Sequence, residues 1–173
     1  MNEPNEIRLS PTSYVVLGLI EMMQPATPYD LKVAARWGVS NLWALPHTQL
    51  YSECGRLAGV GLLDEERESG GRRRKLYRMT DAGSDVLAEW RQDTTPTGWE
   101  LRDAGLLKLF FGAEPEALAA TQLEAHRARL AEYEGIAVAR ADMPHGMWLT
   151  LESGIGHERE YIRFWESVAG NGG

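Results

Sequence analysis

Five cationic side chains crowd into seven positions, Arg72-Arg73-Arg74-Lys75 and Arg78, directly after Ser69-Gly70-Gly71. Like charges at that density repel one another and add little to folding, so their natural use is to meet a polyanion such as a phosphate backbone. Charge runs also serve as plain solvated faces, and Asp64, Glu65, Glu66 and Glu68 just upstream can neutralise part of this one. A second set of groups precedes it. His47, Thr48, Gln49, Tyr51, Ser52 and Arg56 offer imidazole, hydroxyl, amide and guanidinium groups, the donors and acceptors that read base edges and phosphates. Catalysis and metal binding have no comparable set. The histidines at 47, 126, 145 and 157 share no metal-ligand spacing with Cys54 or with carboxylate pairs. No glycine-rich phosphate loop is present. Cys54 falls on the apolar side of its segment, which suits a buried thiol rather than a nucleophile. Neither a catalytic residue, a metal nor a cofactor is expected.

The two polar sets need elements to hold them. Ser10 or Thr12 can cap a first helix, with Pro11 in its first turn and Tyr14, Leu17, Gly18 and Met22 along one face. Gln24-Pro25-Ala26 ends it. Thr27-Pro28 starts a shorter helix with Leu31, Ala34 and Ala35 inward, closed by Trp37-Gly38 and followed by a loop. A third helix is predicted over residues 46–60. On its wheel Leu50, Cys54, Leu57 and Gly61 face the core, with Ala58 flanking. Thr48, Ser52, Gly55, Arg56 and Gly59 lie opposite, with Gln49 and Tyr51 at the margins, and His47 sits in a first turn whose N–H groups attract phosphate. Strand-like runs over 62–68 and 73–79 flank the Ser-Gly-Gly turn, and Thr80-Asp81-Ala82-Gly83 opens a last helix to about Trp90. Helix, helix, helix, hairpin, helix is the order of a winged helix-turn-helix. A small α+β domain with an exposed hairpin is the plainer alternative.

The segments Leu50-Tyr51, Leu57-Ala58-Gly59-Val60-Gly61-Leu62-Leu63, the Gly-Gly turn, and Arg74-Lys75-Leu76-Tyr77-Arg78-Met79-Thr80-Asp81-Ala82-Gly83 resemble the PadR family of bacterial transcriptional regulators. The Arg-Lys-x-Tyr-x-x-Thr-x-x-Gly piece is the most specific, and the likeness spans about residues 10–90. Pro28-Tyr29-Asp30-Leu31 resembles the family's second helix start. Ser52 stands where the family often has proline, and Cys54 where an apolar residue is usual. The resemblance implies a homodimeric regulator, often a repressor, that binds an inverted-repeat operator in double-stranded DNA. Together with the outer face of the third helix and the basic turn, this leads to the expectation that Thr48, Tyr51, Ser52 and Arg56 enter the major groove, Arg73, Arg74 and Lys75 grip DNA through the wing, and Tyr29 touches a phosphate.

Over the whole chain of 173 residues the formal charge is −7, which argues at first sight against nucleic acid. Its distribution reverses that inference. Residues 1–92 hold 11 basic and 12 acidic side chains, and residues 93–173 hold 7 and 13, so the acidity belongs to the second part. The polar run Asp93-Thr94-Thr95-Pro96-Thr97-Gly98 reads as a linker. The expected architecture is therefore mainly α with a small β-hairpin wing: a winged helix-turn-helix DNA-binding domain over 1–92, a linker over 93–98, and a helical dimerisation domain over 99–173.

Three helices are expected in the second part, the first over about 100–112. Ala119, Leu123, His126, Leu130, Tyr133, Ala137 and Arg140 recur at heptad spacing, as do Leu151, Ile155, Glu158, Ile162, Trp165 and Ala169. These seams can meet within one chain. So small a helical unit buries little alone, however, which favours a partner surface on Leu123, Leu130, Tyr133, Ile155, Ile162 and Trp165. Two reading heads held roughly 34 Å apart would then address both half-sites of an operator. Trp99 and Trp148 are candidates to stack on a flat aromatic effector, with ordinary packing as the alternative. With no 18-residue apolar stretch, an acidic N-terminus and a single cysteine, the chain is expected to be soluble and cytoplasmic, with no membrane partner. The rival from another class is a winged-helix module that binds a protein without specific DNA binding.

Overall fold

The computed structural model describes residues 7–36, 38–43, 46–68, 73–96 and 102–170, apart from the side chains of Asn41 and His47. The Ser69-Gly70-Gly71 turn, Arg72, Trp37, Trp99, Leu101 and the His47 side chain lie outside the described residues. The chain divides into two compact units, Met1–Thr97 and Gly98–Gly173.

Capping residues set the helices of the first unit. Ser10 caps α1 (Pro11–Met23) in a reciprocal box with Ser13, and Thr27 caps α2 (Pro28–Ala35) in another with Asp30. The connector after α2 holds a one-turn helix, α3 (Val39–Leu42), where the sequence reads as loop. Then comes α4 (His47–Gly59), which ends on Val60 and Gly61. Gly61 takes φ +79° and donates its N–H to the Ala58 carbonyl, while Leu62 N–H reaches Leu57 O. Such a left-handed closure favours glycine and turns the chain sharply into the hairpin.

Strands β1 (Leu63–Arg67) and β2 (Lys75–Met79) pair antiparallel, with Leu63 opposite Met79 and Arg67 opposite Lys75. Ala26 adds a bridge to β2, exchanging N–H···O bonds with Tyr77 at 2.9 and 3.1 Å, and so ties the α1–α2 connector to the wing. Thr80 caps α5 (Asp81–Gln92). Gly83 there lies so close to β1's entry that a β-carbon would sit 2.1 Å from Leu62 O, so no other side chain fits without moving backbone. Val16, Leu17, Ile20, Leu31, Leu50, Cys54, Leu57, Leu63, Tyr77 and Leu87 form one core beneath these elements. The buried residues of α1 are Ser13, Val16, Leu17, Leu19 and Ile20. Of the expected face Tyr14, Leu17, Gly18 and Met22, only Leu17 is fully buried, and Met22 is exposed. The helix is apolar on most sides, so its wheel gives no sharp inward direction.

In the second unit α6 (Ala104–Phe110) is shorter than predicted, because Asp103 caps it by accepting a bond from Leu106 N–H at 2.9 Å. The long helices α7 (Pro115–Ala137) and α8 (His145–Gly170) follow, separated by a 3-10 turn at Arg140–Asp142. They run antiparallel, with Arg127 paired to Glu166 and Glu134 to Arg159. Their heptad seams face each other within the chain. Trp165 is fully buried, Leu123, Tyr133 and Ile155 are nearly so, and Leu130 and Ile162 are half-buried. His126 Nδ1 lies 2.6 Å from the buried carboxylate of Glu158. Leu123, Tyr133, Ile155 and Trp165 are therefore spent largely within the chain, while Leu130 and Ile162 keep part of their surface. Heptad periodicity shows that a helix has a seam but not which helix fills it.

Candidate nucleic-acid interface

The inner side of α4 is fixed by burial. Leu50, Cys54 and Leu57 reach the core with at most 1% of their surface exposed. Burial, with Glu53 next in effect, pushes the Cys54 thiol up to about 12, so it stays neutral and unreactive as a packing group. The outer side carries Thr48, Gln49, Tyr51 and Ser52, all exposed. Ser52 Oγ donates to the carbonyls of Thr48 and Gln49, both at 3.1 Å, so its hydroxyl faces outward as an acceptor. Pro46 at the N-cap makes no side-chain capping bond; Gln49 N–H turns back to the Pro46 carbonyl at 2.9 Å, and the His47 and Thr48 amides stand at the end where helix dipoles favour anions. Tyr29, at the start of α2, is likewise exposed.

Arg56 behaves differently from the others. Its Nε and Nη2 grip Glu53 at 2.9 and 2.6 Å, and Nη2 also donates to Ser13 Oγ at 3.1 Å. Ser13, fully buried on α1, donates to Glu53 Oε1 at 2.6 Å. Arg56, placed at base edges by the sequence reading, is here held in a three-residue clamp between α4 and α1. The Arg56 guanidinium, helped by the Ser13 bond, keeps the Glu53 carboxyl below its ordinary range against the opposing effect of burial. The clamp was not legible in sequence, since Ser13 and Arg56 are 43 positions apart.

The wing presents its charges from exposed strands. Arg74 binds both oxygens of Glu68 at 3.0 Å, and Lys75 binds Glu65 at 2.8 Å. Glu65 also accepts from the buried Tyr77 hydroxyl at 3.1 Å and lies 3.7 Å from Arg67. Arg73 is exposed with φ +46°, and among the described residues neither it nor Arg78 makes an ion pair.

Trp148 lies in the second unit and lines a shallow cleft of about 370 Å³ with Ala137, Val138, Ile155, Glu134, Glu152 and Arg159, and Arg140 stacks over its ring at 4.4 Å. In the first unit Tyr14 and Trp90 stack 4.6 Å apart beside a cleft of about 360 Å³, an aromatic pair that the sequence reading did not single out. Among the described residues no cluster of three or more His, Cys, Asp or Glu could hold a metal ion. None of their helices is long and apolar enough to cross a membrane.

A polar-faced helix seated on a three-helix core, followed by a basic hairpin bridged to the α1–α2 connector, defines a winged helix-turn-helix protein of the kind that binds DNA. Residues 16–89 match the model of the transcriptional regulator PadR-like family, and residues 101–171 match the virulence activator alpha C-terminal model. Residues 16–89 thus carry the domain of the PadR-like family of transcriptional regulators, a family of regulators rather than enzymes. The chain is 25% identical over 171 residues to the negative transcriptional regulator PadR of Bacillus subtilis (strain 168), covering 90% of this chain and 93% of that one. Its fold matches the crystal structure of Bacillus subtilis PadR in complex with operator DNA with a TM-score of 0.82, at 23% identity over 94% of this chain and 98% of the other. The same protein in complex with p-coumaric acid matches with a TM-score of 0.74, at 24% identity over 91% and 96% of the two chains.

Proposed function

We propose that this regulator is a cytoplasmic homodimeric repressor of an inverted-repeat operator, with α4 in the major groove and the wing on the phosphates. The observation that carries the reading is the pairing of an exposed, small polar face on α4 with unneutralised cations at Arg73 and Arg78 on the adjacent hairpin. Thr48, Gln49, Tyr51 and Ser52 meet base edges. The first-turn amides at His47 and the hydroxyl of Tyr29 meet phosphates, and Arg72, Arg73, Arg74 and Lys75 grip the backbone. Arg56 acts indirectly, by fixing the pose of α4. Repression is supported by the Bacillus subtilis relative, a negative regulator.

Dimerisation is supported by the apolar groups the second unit leaves outside its own core, Leu107, Phe110, Phe111 and Val138 among them. A flat aromatic effector stacking on Trp148 is the regulatory part of the reading, supported by the cleft and by the p-coumaric acid complex of the relative.

Titration of DNA flanking the protein's own gene at several salt concentrations tests the proposal. Binding as a dimer by sedimentation, with log K falling by about 0.9 per phosphate contact on a log-salt plot, is the expected result. Replacing Arg73, Arg74 and Lys75 together by alanine lowers that slope by up to about 2.7. A slope that does not move refutes the wing assignment, and salt-insensitive or absent DNA binding favours a protein-binding module.

A further inference from the structure

We propose that Glu65 and Glu68 hold two wing cations, Lys75 and Arg74, in internal ion pairs, and that this restraint makes the wing discriminate against DNA other than the operator. The inference rests on the DNA-binding reading above. The hairpin divides its bases into two classes. Arg73 and Arg78 make no ion pair among the described residues and are free to attract any phosphate. Arg74 is held two-pronged by Glu68, and Lys75 by a Glu65 carboxylate that Tyr77 and Arg67 also engage. Asp30 adds a further attraction on Arg74 from α2. A phosphate that recruits Arg74 or Lys75 must displace a carboxylate at equal formal charge, and the released carboxylate then stands beside the duplex as a repulsive group. Exchange is favourable only where a phosphate meets the cation at close range and in good geometry. Operator docking, with α4 fixed in the groove, sets the phosphate positions. Loose non-specific encounters do not.

The strand itself supplies a control. Asp64 and Glu66 carry the same charge on β1, are exposed, and make no ion pair among the described residues. The experiment compares Glu65→Gln/Glu68→Gln with the charge-matched Asp64→Asn/Glu66→Gln in the full chain, on random-sequence duplex and on operator DNA, with circular dichroism to confirm folding. The amides can still accept the Tyr77 hydrogen bond and disturb packing little. Releasing the two cations is expected to raise random-duplex affinity roughly tenfold and to steepen its salt slope by up to about 1.8. Operator affinity rises less, so the ratio between the two DNAs falls. The control pair moves affinity only weakly and leaves the slope in place. Equal gains from both double variants would show an effect of net charge alone and overturn the inference, as would no gain from the first. If the unaltered chain bound no duplex in a salt-dependent way, the DNA-binding reading itself would fail before any variant was compared.

Discussion

Helix α4 and the wing come from neighbouring stretches of one chain and are held by opposite means. On α4 the inner face is locked by three core residues, and the Ser13–Glu53–Arg56 clamp fixes its pose against α1. Its outer face offers neutral hydroxyl and amide groups. On the wing Leu63 and Tyr77 anchor the strands, while nearly everything else is a charge in partial contact with another charge. Neutral hydrogen-bonding groups discriminate only when their positions are fixed, so the helix needs a rigid seat. Charges act over several ångströms and tolerate motion, so the wing can stand on exposed strands. Precision belongs to the part with the deeper core.

If that contrast is right, core and surface changes in the two regions should separate stability from DNA affinity. The largest effect is expected for Leu57→Ala, which empties a fully buried position under α4 and should cost about 2–5 kcal/mol in denaturant unfolding. Arg73→Ala on the wing should stay within about 0.5 kcal/mol of the unaltered protein while weakening DNA binding. Comparable losses of stability from both would dissolve the distinction.

A smaller effect tests the clamp. Arg56→Gln should lower operator affinity by about tenfold, near the size of one lost charge-assisted hydrogen bond, while the salt slope stays unchanged. A slope reduced by about 0.9 would instead make Arg56 a phosphate contact.

How much of this was legible in the sequence follows the range of each interaction. Caps at Ser10, Thr27 and Thr80, the third helix and the hairpin turn on contacts within a few residues, and each stands where the local pattern put it. The family resemblance agrees with the matched family model over residues 16–89. What pattern alone does not carry is the choice of partner. Leu123, Tyr133, Ile155 and Trp165 announce seams, yet whether a seam meets its own chain or another depends on a chain reversal near Arg140. Arg56 lies on the polar side of its wheel in both views, but its partner Ser13 belongs to a different helix. The one-turn α3 had too little periodicity to show.

The smallest effect concerns pH and isolates the clamp's electrostatic part. Glu53 titrates below its ordinary value near 4.5, chiefly because Arg56 hydrogen-bonds its carboxylate. In the unfolded chain that partner is gone and the ordinary value returns. A carboxyl whose folded value is depressed adds stability at pH above its unfolded value, and loses it as pH falls through the folded one. Thermal melts of the unaltered protein and of Glu53→Gln should therefore differ by a roughly constant margin from pH 7 to about 5, on the order of 1 kcal/mol for one partly buried charged pair. Below about pH 4.5 the two curves should converge, because the protonated carboxyl no longer differs in charge from the amide. The wing carboxylate Glu65 is also depressed, by Lys75, but its side chain is the more exposed of the two, at 24% against 14%, so Glu65→Gln should show a smaller margin over the same range. Equal margins at the two positions would mean that the clamp under α4 is no better shielded from solvent than the wing.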